Sequence, residues 1–211
     1  MGRKQIMASN VIIGVATLMA VVGGVTVSLA EDRNAAKAEP APDLSTAKSA
    51  TLAWIDAAWA GNAAVVHQVL VDDEQQRKFM AGPLRLNTAL RALESAAVKQ
   101  FGESGRQVTG YPDGSATAME KKLEIEEEDG RATASLEEAM MPLYLRRIDG
   151  QWRVDLSEWV RDPRARRASR TSGAAAKVAE DLAVEIGEGK FKTVEEASAA
   201  FHERRLAKVK K

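Results

Sequence analysis

The chain has 211 residues and no cysteine, which excludes disulfides, thiolate catalysis, zinc–cysteine sites and the lipidated cysteine of a lipoprotein. Its 30 basic and 30 acidic residues cancel overall but not locally. Residues 31–160 carry 15 basic and 22 acidic side chains, a net of −7, whereas residues 161–211 carry 13 and 8, a net of +5, so an acidic body precedes a basic tail.

Met1 to Asn10 contains Arg3 and Lys4 and no acid. Val11 to Ala30 follows as twenty residues without a charge, ending in Ser28-Leu29-Ala30, a small-x-small pattern that suits cleavage after Ala30. Residues 1–30 therefore read as an export segment. It is a signal peptide if cleaved, or a membrane anchor through residues 11–30 if retained, because about twenty apolar residues also span a bilayer. The basic flank keeps the N-terminus inside in either case. The expected location of the rest is periplasmic, secreted, or anchored to the membrane and facing out of the cytoplasm.

Residues 31–44 form an Ala/Pro-rich linker. A first helix is predicted from Ser45 to Ala60, with Leu52, Ile55 and Trp59 on one apolar face and Trp54 and Ala58 beside them. Gly61-Asn62 ends it and caps a second helix from Ala63 to Val71, which buries Val66, Val69 and Leu70. Asp73 followed by Gln76 is a capping-box signature for a third helix. Gly82-Pro83 predicts an interruption there, with Pro83 opening a new helix. From Pro83 to Phe101 the stripe Leu86, Leu90, Leu93, Ala97 and Phe101 faces one way, and Gly102 ends it.

The period then changes to two. Asp129-Gly130 and Asp149-Gly150 each sit between alternating residues, a strong hairpin signal. Two-residue turns set Ile125 opposite Ala134, Leu123 opposite Leu136, Leu145 opposite Val154, Leu143 opposite Leu156 and Arg147 opposite Trp152. The apolar members then share one face, and Glu124, Glu126, Ser135, Arg153 and Asp155 take the other. The predicted class is α+β, with N-terminal helices packed on one face of an antiparallel sheet. Arg161, Arg164, Arg166, Arg167 and Arg170 read as an Arg-rich linker over 161–172. A basic helical tail over 173–211 follows, with helices at Gly173–Ile186 and after Thr193, the second burying Val194, Ala197 and Phe201.

Residues 46–160, with "WIDAAWAGNAAVVHQVL", "LEIEEEDGRATASLEE" and "MPLYLRRIDGQWRVDLSEW", resemble the nuclear transport factor 2-like (SnoaL-like) superfamily. The most telling stretch is Met141 to Trp159, where an apolar strand with Leu143 and Leu145, the Asp149-Gly150 turn and the Trp152-x-Val154 strand follow in order. The resemblance implies a curved antiparallel sheet wrapped around helices as a cone with a pocket, over residues 45–160. It also implies the exposed sheet face as an association surface, with a homodimer as one expected outcome. The superfamily hosts both enzymes and non-catalytic modules, so fold alone does not assign activity.

Enzymes of that superfamily place an Asp–His or Asp–Tyr set in the cone. The weak candidates here are His67, readable as a general base or as a boundary residue on a partly exposed helix, and Asp56, readable as a cavity-mouth acid or as a solvated one. The solvated readings are favoured, because no spacing forces the two together. Tyr111 sits in a Gly-Tyr-Pro turn, and Tyr144 points away from the helix-covered face. Pocket candidates are Trp54, Trp59, Leu90 and Tyr111. Arg147 facing Trp152 suggests a stacked pair. Two isolated histidines provide no metal cluster, no cofactor is expected, and arginines without interleaved aromatics argue against nucleic acid. The leading expectation is an exported non-catalytic module that binds a protein partner or a small apolar ligand through the pocket or the exposed sheet face. Two alternatives stand beside it: a small hydrolase- or isomerase-type enzyme using His67 or Asp56, and an envelope-associated protein whose basic tail binds anionic surfaces.

Overall fold

A computed structural model describes residues 41–110, 116–136 and 141–209. The export segment, most of the linker and Tyr111 lie outside the described residues.

Helix α1 (Ala47–Ala60) begins under a reciprocal cap in which the Thr46 side chain accepts from the Ser49 N–H and the Ser49 hydroxyl accepts from the Thr46 N–H. Its buried stripe is Ala47, Ala50, Trp54, Ala57 and Ala58 with Ile55, while Leu52 and Trp59 lie at the margin. The run of small alanines lets α1 sit close to its neighbours, which moves the buried face round from the one set by the larger side chains. Gly61 ends α1, and the Asn62 side chain caps α2 (Ala63–Val69) by accepting from the Val65 N–H. Leu70 and Val71 then leave helical geometry. Leu70 bridges Val154 in parallel and the Val71 N–H donates to the Val154 carbonyl at 2.9 Å. The second helix is thus two residues shorter than predicted, because its last residues are drawn onto the edge of the sheet.

Asp73 caps α3 (Glu74–Phe101), which runs unbroken through Gly82-Pro83. The predicted interruption does not occur, and the cause is a contact with a distant helix. Proline at 83 leaves the Phe79 carbonyl without its helical donor, and the Ser169 hydroxyl of a neighbouring helix supplies one at 2.5 Å. Gly82 stands at the same crossing. A Cβ there would lie 2.4 Å from the Ser169 carbonyl oxygen, so glycine is what lets the two backbones touch. The Gly-Pro pair marks a helix contact rather than a helix end. After Phe101 a 3-10 turn (Gly102–Gln107) and the short α4 (Ala116–Glu120) lead into the sheet.

The sheet is an antiparallel meander, β1 (Leu123–Glu128), β2 (Arg131–Leu136), β3 (Leu143–Ile148) and β4 (Gln151–Asp155), in that order. Observed pairs include Leu123 with Leu136, Ile125 with Ala134, Leu145 with Val154 and Arg147 with Trp152. Asp129 and Gly130, like Asp149 and Gly150, all have positive φ, the backbone of a two-residue turn whose twist matches the strands. Ala132, Ala134, Leu143, Leu145, Trp152 and Val154 are buried under the helices. Beyond β4, the Trp152 N–H donates to the Leu44 carbonyl, so residues 44 and 70–71 cover that edge. No described strand pairs with the outer edge of β1.

Helix α5 (Ser157–Arg161) inserts Trp159, fully buried, with its indole N–H donating to the Pro142 carbonyl at 2.9 Å. The Arg-rich stretch is not a linker. Asp162 caps α6 (Pro163–Gly187) through the Arg164 and Ala165 N–H groups, with Pro163 in the first turn, so the arginines ride on a continuous helix. Its buried face (Ala165, Ser169, Ser172, Ala176, Ala179, Leu182, Ile186) packs along α3. Helix α7 (Val194–Val209) follows and buries Val194, Ala197 and Phe201. Two apolar clusters result. The first joins α1, α2, the front of α3 and the sheet. The second joins the rear of α3 to α6 and α7, with Leu93, Leu182, Ile186 and Phe201 at its centre.

Candidate binding site

The alternation that buries one face of the sheet exposes the other. Register across the four strands places Glu126, Thr133, Tyr144 and Asp155 in one row and Glu128, Arg131, Arg146 and Arg153 in the next. Apart from Arg153, the residues of these rows, with Glu127 and Asp129 on one side and Ser157, Glu158 and Arg161 of α5 on the other, line an open groove of about 1330 Å³.

Three arginines side by side across adjacent strands repel one another, and each is handled differently. Arg146 pairs with Asp155 at 2.8 Å. Arg153 donates to the Gln68 carbonyl and to Gln151. Arg131 makes no side-chain hydrogen bond or ion pair among the described residues, although Glu128 faces it in register. Asp155 is the fixed point of the groove. Its Oδ1 accepts from the Ser157 N–H and hydroxyl and from Gln76 Nε2. Burial would raise its carboxyl, but the Ser157 bonds, the Arg146 charge and the Gln76 amide together hold it below the ordinary aspartate range.

Gln76 does not close the predicted capping box. It is buried, its Oε1 accepts from the Leu156 N–H at 2.8 Å, and its amide reaches Asp155 and Ser157. A helix-cap residue thereby ties the start of α3 to the end of β4. With Arg146 committed to Asp155 and Arg161 to Glu158 at 2.9 Å, the groove-lining charges without an ion pair among the described residues are Glu126, Glu127, Glu128, Asp129 and Arg131. Its field favours cations.

The other candidates are scattered. Trp54 and Leu90 are buried in the two separate apolar clusters. Trp59 is half-buried under Arg91, whose guanidinium carbon lies 5.2 Å from the ring centroid and whose Nε donates to the Trp59 carbonyl. Asn87 Nδ2 donates to the Ala58 carbonyl, so α3 side chains satisfy the last carbonyls of α1. Asp56 is exposed. Partial burial raises its carboxyl, against the opposing Ala116 N–H at 3.3 Å and the Arg91 charge. His67 is exposed in a separate shallow groove with Glu74, Arg77 and Lys78, and no hydrogen bond joins it to Asp56. Arg147 donates to the Gly150 carbonyl of its own turn at 3.4 Å. Among the described residues no His, Asp and Glu side chains gather as a metal-binding group, and no helix is long and apolar enough to cross a membrane.

The sequence pattern named Glu126, Arg153 and Asp155 as outward-facing but did not assemble them into a site. What assembles them is the β2–β3 register, which brings Thr133 to Tyr144 and Arg131 to Arg146 and which no two-residue turn in the sequence announces. No protein-family model, curated protein or solved structure matches the chain.

Proposed function

We propose that the chain is an exported, non-catalytic binding module of nuclear transport factor 2-like kind that holds an extended basic segment of a partner protein on its open sheet face. The observation that carries this reading is the groove itself, with a floor of Thr133 and Tyr144, an acidic wall at β1 and, beside that wall, a β1 edge that no described strand pairs with. An unpaired edge offers main-chain bonds to an added strand, and alternate side chains of that strand meet the acids. Buried Trp54 and Leu90 favour the sheet face over an interior apolar pocket. The separation of His67 from Asp56 favours binding over catalysis, since a general base needs its partner within hydrogen-bond reach. The strand–turn–strand from Leu143 to Asp155, followed by Trp159, supports the family likeness and its cone-like wrapping.

The test uses the full chain in a neutral detergent and a fluorescent octapeptide of alternating lysine and valine, followed by polarisation. Binding is expected to weaken with salt and to fall about tenfold when Glu126, Glu127 and Glu128 all become glutamine, the scale of three exposed charge pairs. Equal binding by the triple variant would overturn the reading.

A further inference from the structure

A second charged surface lies apart from the groove, on the first turns of α6. Arg164, Arg166, Arg167 and Arg170 are all exposed, and their side chains make no hydrogen bond or ion pair among the described residues. Other arginines show how unusual this is. Arg77 pairs with Asp72, Arg85 with Glu180, Arg106 with Glu94 and Glu103, Arg146 with Asp155, Arg161 with Glu158 and Arg204 with Glu185. Outside α6, only Arg131 among the described arginines lacks a partner.

The placement is electrostatically unfavourable when the protein is alone. The arginines repel one another and occupy the N-terminal turns, where the helix macrodipole is already positive. They are also presented rigidly. At about 3.6 residues per turn, Arg167 and Arg170 point away from the buried Ala165, Ser169 and Ser172, and Arg164 and Arg166 stand on the two flanks of that outward face. That buried side is fixed to α3 by the Ser169–Phe79 bond and the close approach at Gly82. A fixed row of guanidinium groups, each able to take phosphate in a bidentate manner, complements a flat layer of phosphates.

We propose that this face of α6 docks on an anionic lipid bilayer, with Arg164, Arg166, Arg167 and Arg170 contacting the headgroup phosphates. The proposal is independent of the sheet-face reading and uses none of its residues. The apolar residues 11–30 complement it. Ten residues separate Ala30 from the first described residue, a reach of at most about 35 Å, so a retained segment would keep the start of the described residues close to the bilayer surface. An apolar segment plus a basic patch is also the pairing that makes membrane attachment stable.

The experiment places the full chain in nanodiscs of identical leaflets, either neutral phosphatidylcholine or one-quarter phosphatidylglycerol. Arginine modification by phenylglyoxal is then read by peptide mass spectrometry. Arg164, Arg166, Arg167 and Arg170 are expected to react about tenfold more slowly in the anionic discs, with the protection lost at high salt, as for basic groups near an anionic surface. Arg131, on the sheet face, serves as the internal reference and is expected to react equally in both. Equal reactivity of the α6 arginines in both discs would overturn the proposal. Protection that follows protein concentration and ignores lipid charge would do the same, assigning the face to a second copy of the chain. A variant with all four changed to glutamine is expected to unfold at the wild-type temperature or slightly above. A large loss of stability would show that the arginines serve the fold instead.

Discussion

Gln76 shows how a single side chain can be legible as a type and misleading as a role. Its spacing from Asp73 is that of a capping box, and Asp73 does cap α3. Yet Gln76 is buried, and its amide finds better partners across the chain in Leu156, Asp155 and Ser157. Local spacing cannot reveal such a bond, because the partners lie about eighty residues away. Replacing Gln76 with alanine is expected to cost about 1–3 kcal/mol by urea unfolding, the range for leaving buried polar groups without partners. The penalty has a predictable pH dependence. Asp155 titrates lower in the folded than in the unfolded chain, so its contribution is full above the unfolded value of about 3.9 and is lost as pH falls through the folded value. Removing the Gln76 donor raises that folded value. The cost of Gln76→Ala should therefore be largest near neutral pH and shrink below about pH 4. A penalty that grows on acidification would contradict the assigned network.

At the scale of elements, turn chemistry was reliable, and punctuation held at Gly61-Asn62 and Gly102 but not at Gly82-Pro83 or the arginine run. Hairpin registers follow directly from the two Asp-Gly turns and the alternation beside them, since a one-residue slip would expose every apolar side chain. The stripe from Leu86 to Ala97 is buried as its 3.6-residue spacing requires. Gly82-Pro83 and the arginine run failed as boundary signals for one shared reason. Each is a local feature whose meaning is set by the α3–α6 contact, and a single sequence does not display that contact. Pro83 predicts a break only if its orphaned carbonyl goes unpaired, and Ser169 pairs it. A double-mutant cycle can test this. Ser169→Ala alone should cost about 1–2 kcal/mol, and less in a Pro83→Ala background, where residue 83 regains an N–H for the Phe79 carbonyl. Strictly additive costs would show that the hydroxyl and the proline act independently.

Across the whole molecule, the acidic body and basic tail read from composition do not divide the structure. Helices α6 and α7 supply one side of the second apolar cluster, including Phe201 and Ile186, both fully buried. What the charge asymmetry does mark is a separation of surfaces. Acids without an ion pair among the described residues line the sheet groove, and arginines of the same kind line α6. The exposure of one sheet face was legible from the alternation, while its charge pattern was not, because that emerges only when four strands set their outward residues side by side. The central claim is that this face, and no interior pocket, meets the partner. It is tested most directly by photo-crosslinking in the native host with benzoylphenylalanine at Tyr144 or, for comparison, at His67. One discrete adduct is expected at Tyr144, disappearing when Glu126, Glu127 and Glu128 become glutamine, and none at His67. An adduct at His67 alone, or one at Tyr144 that survives loss of the acids, would contradict the claim.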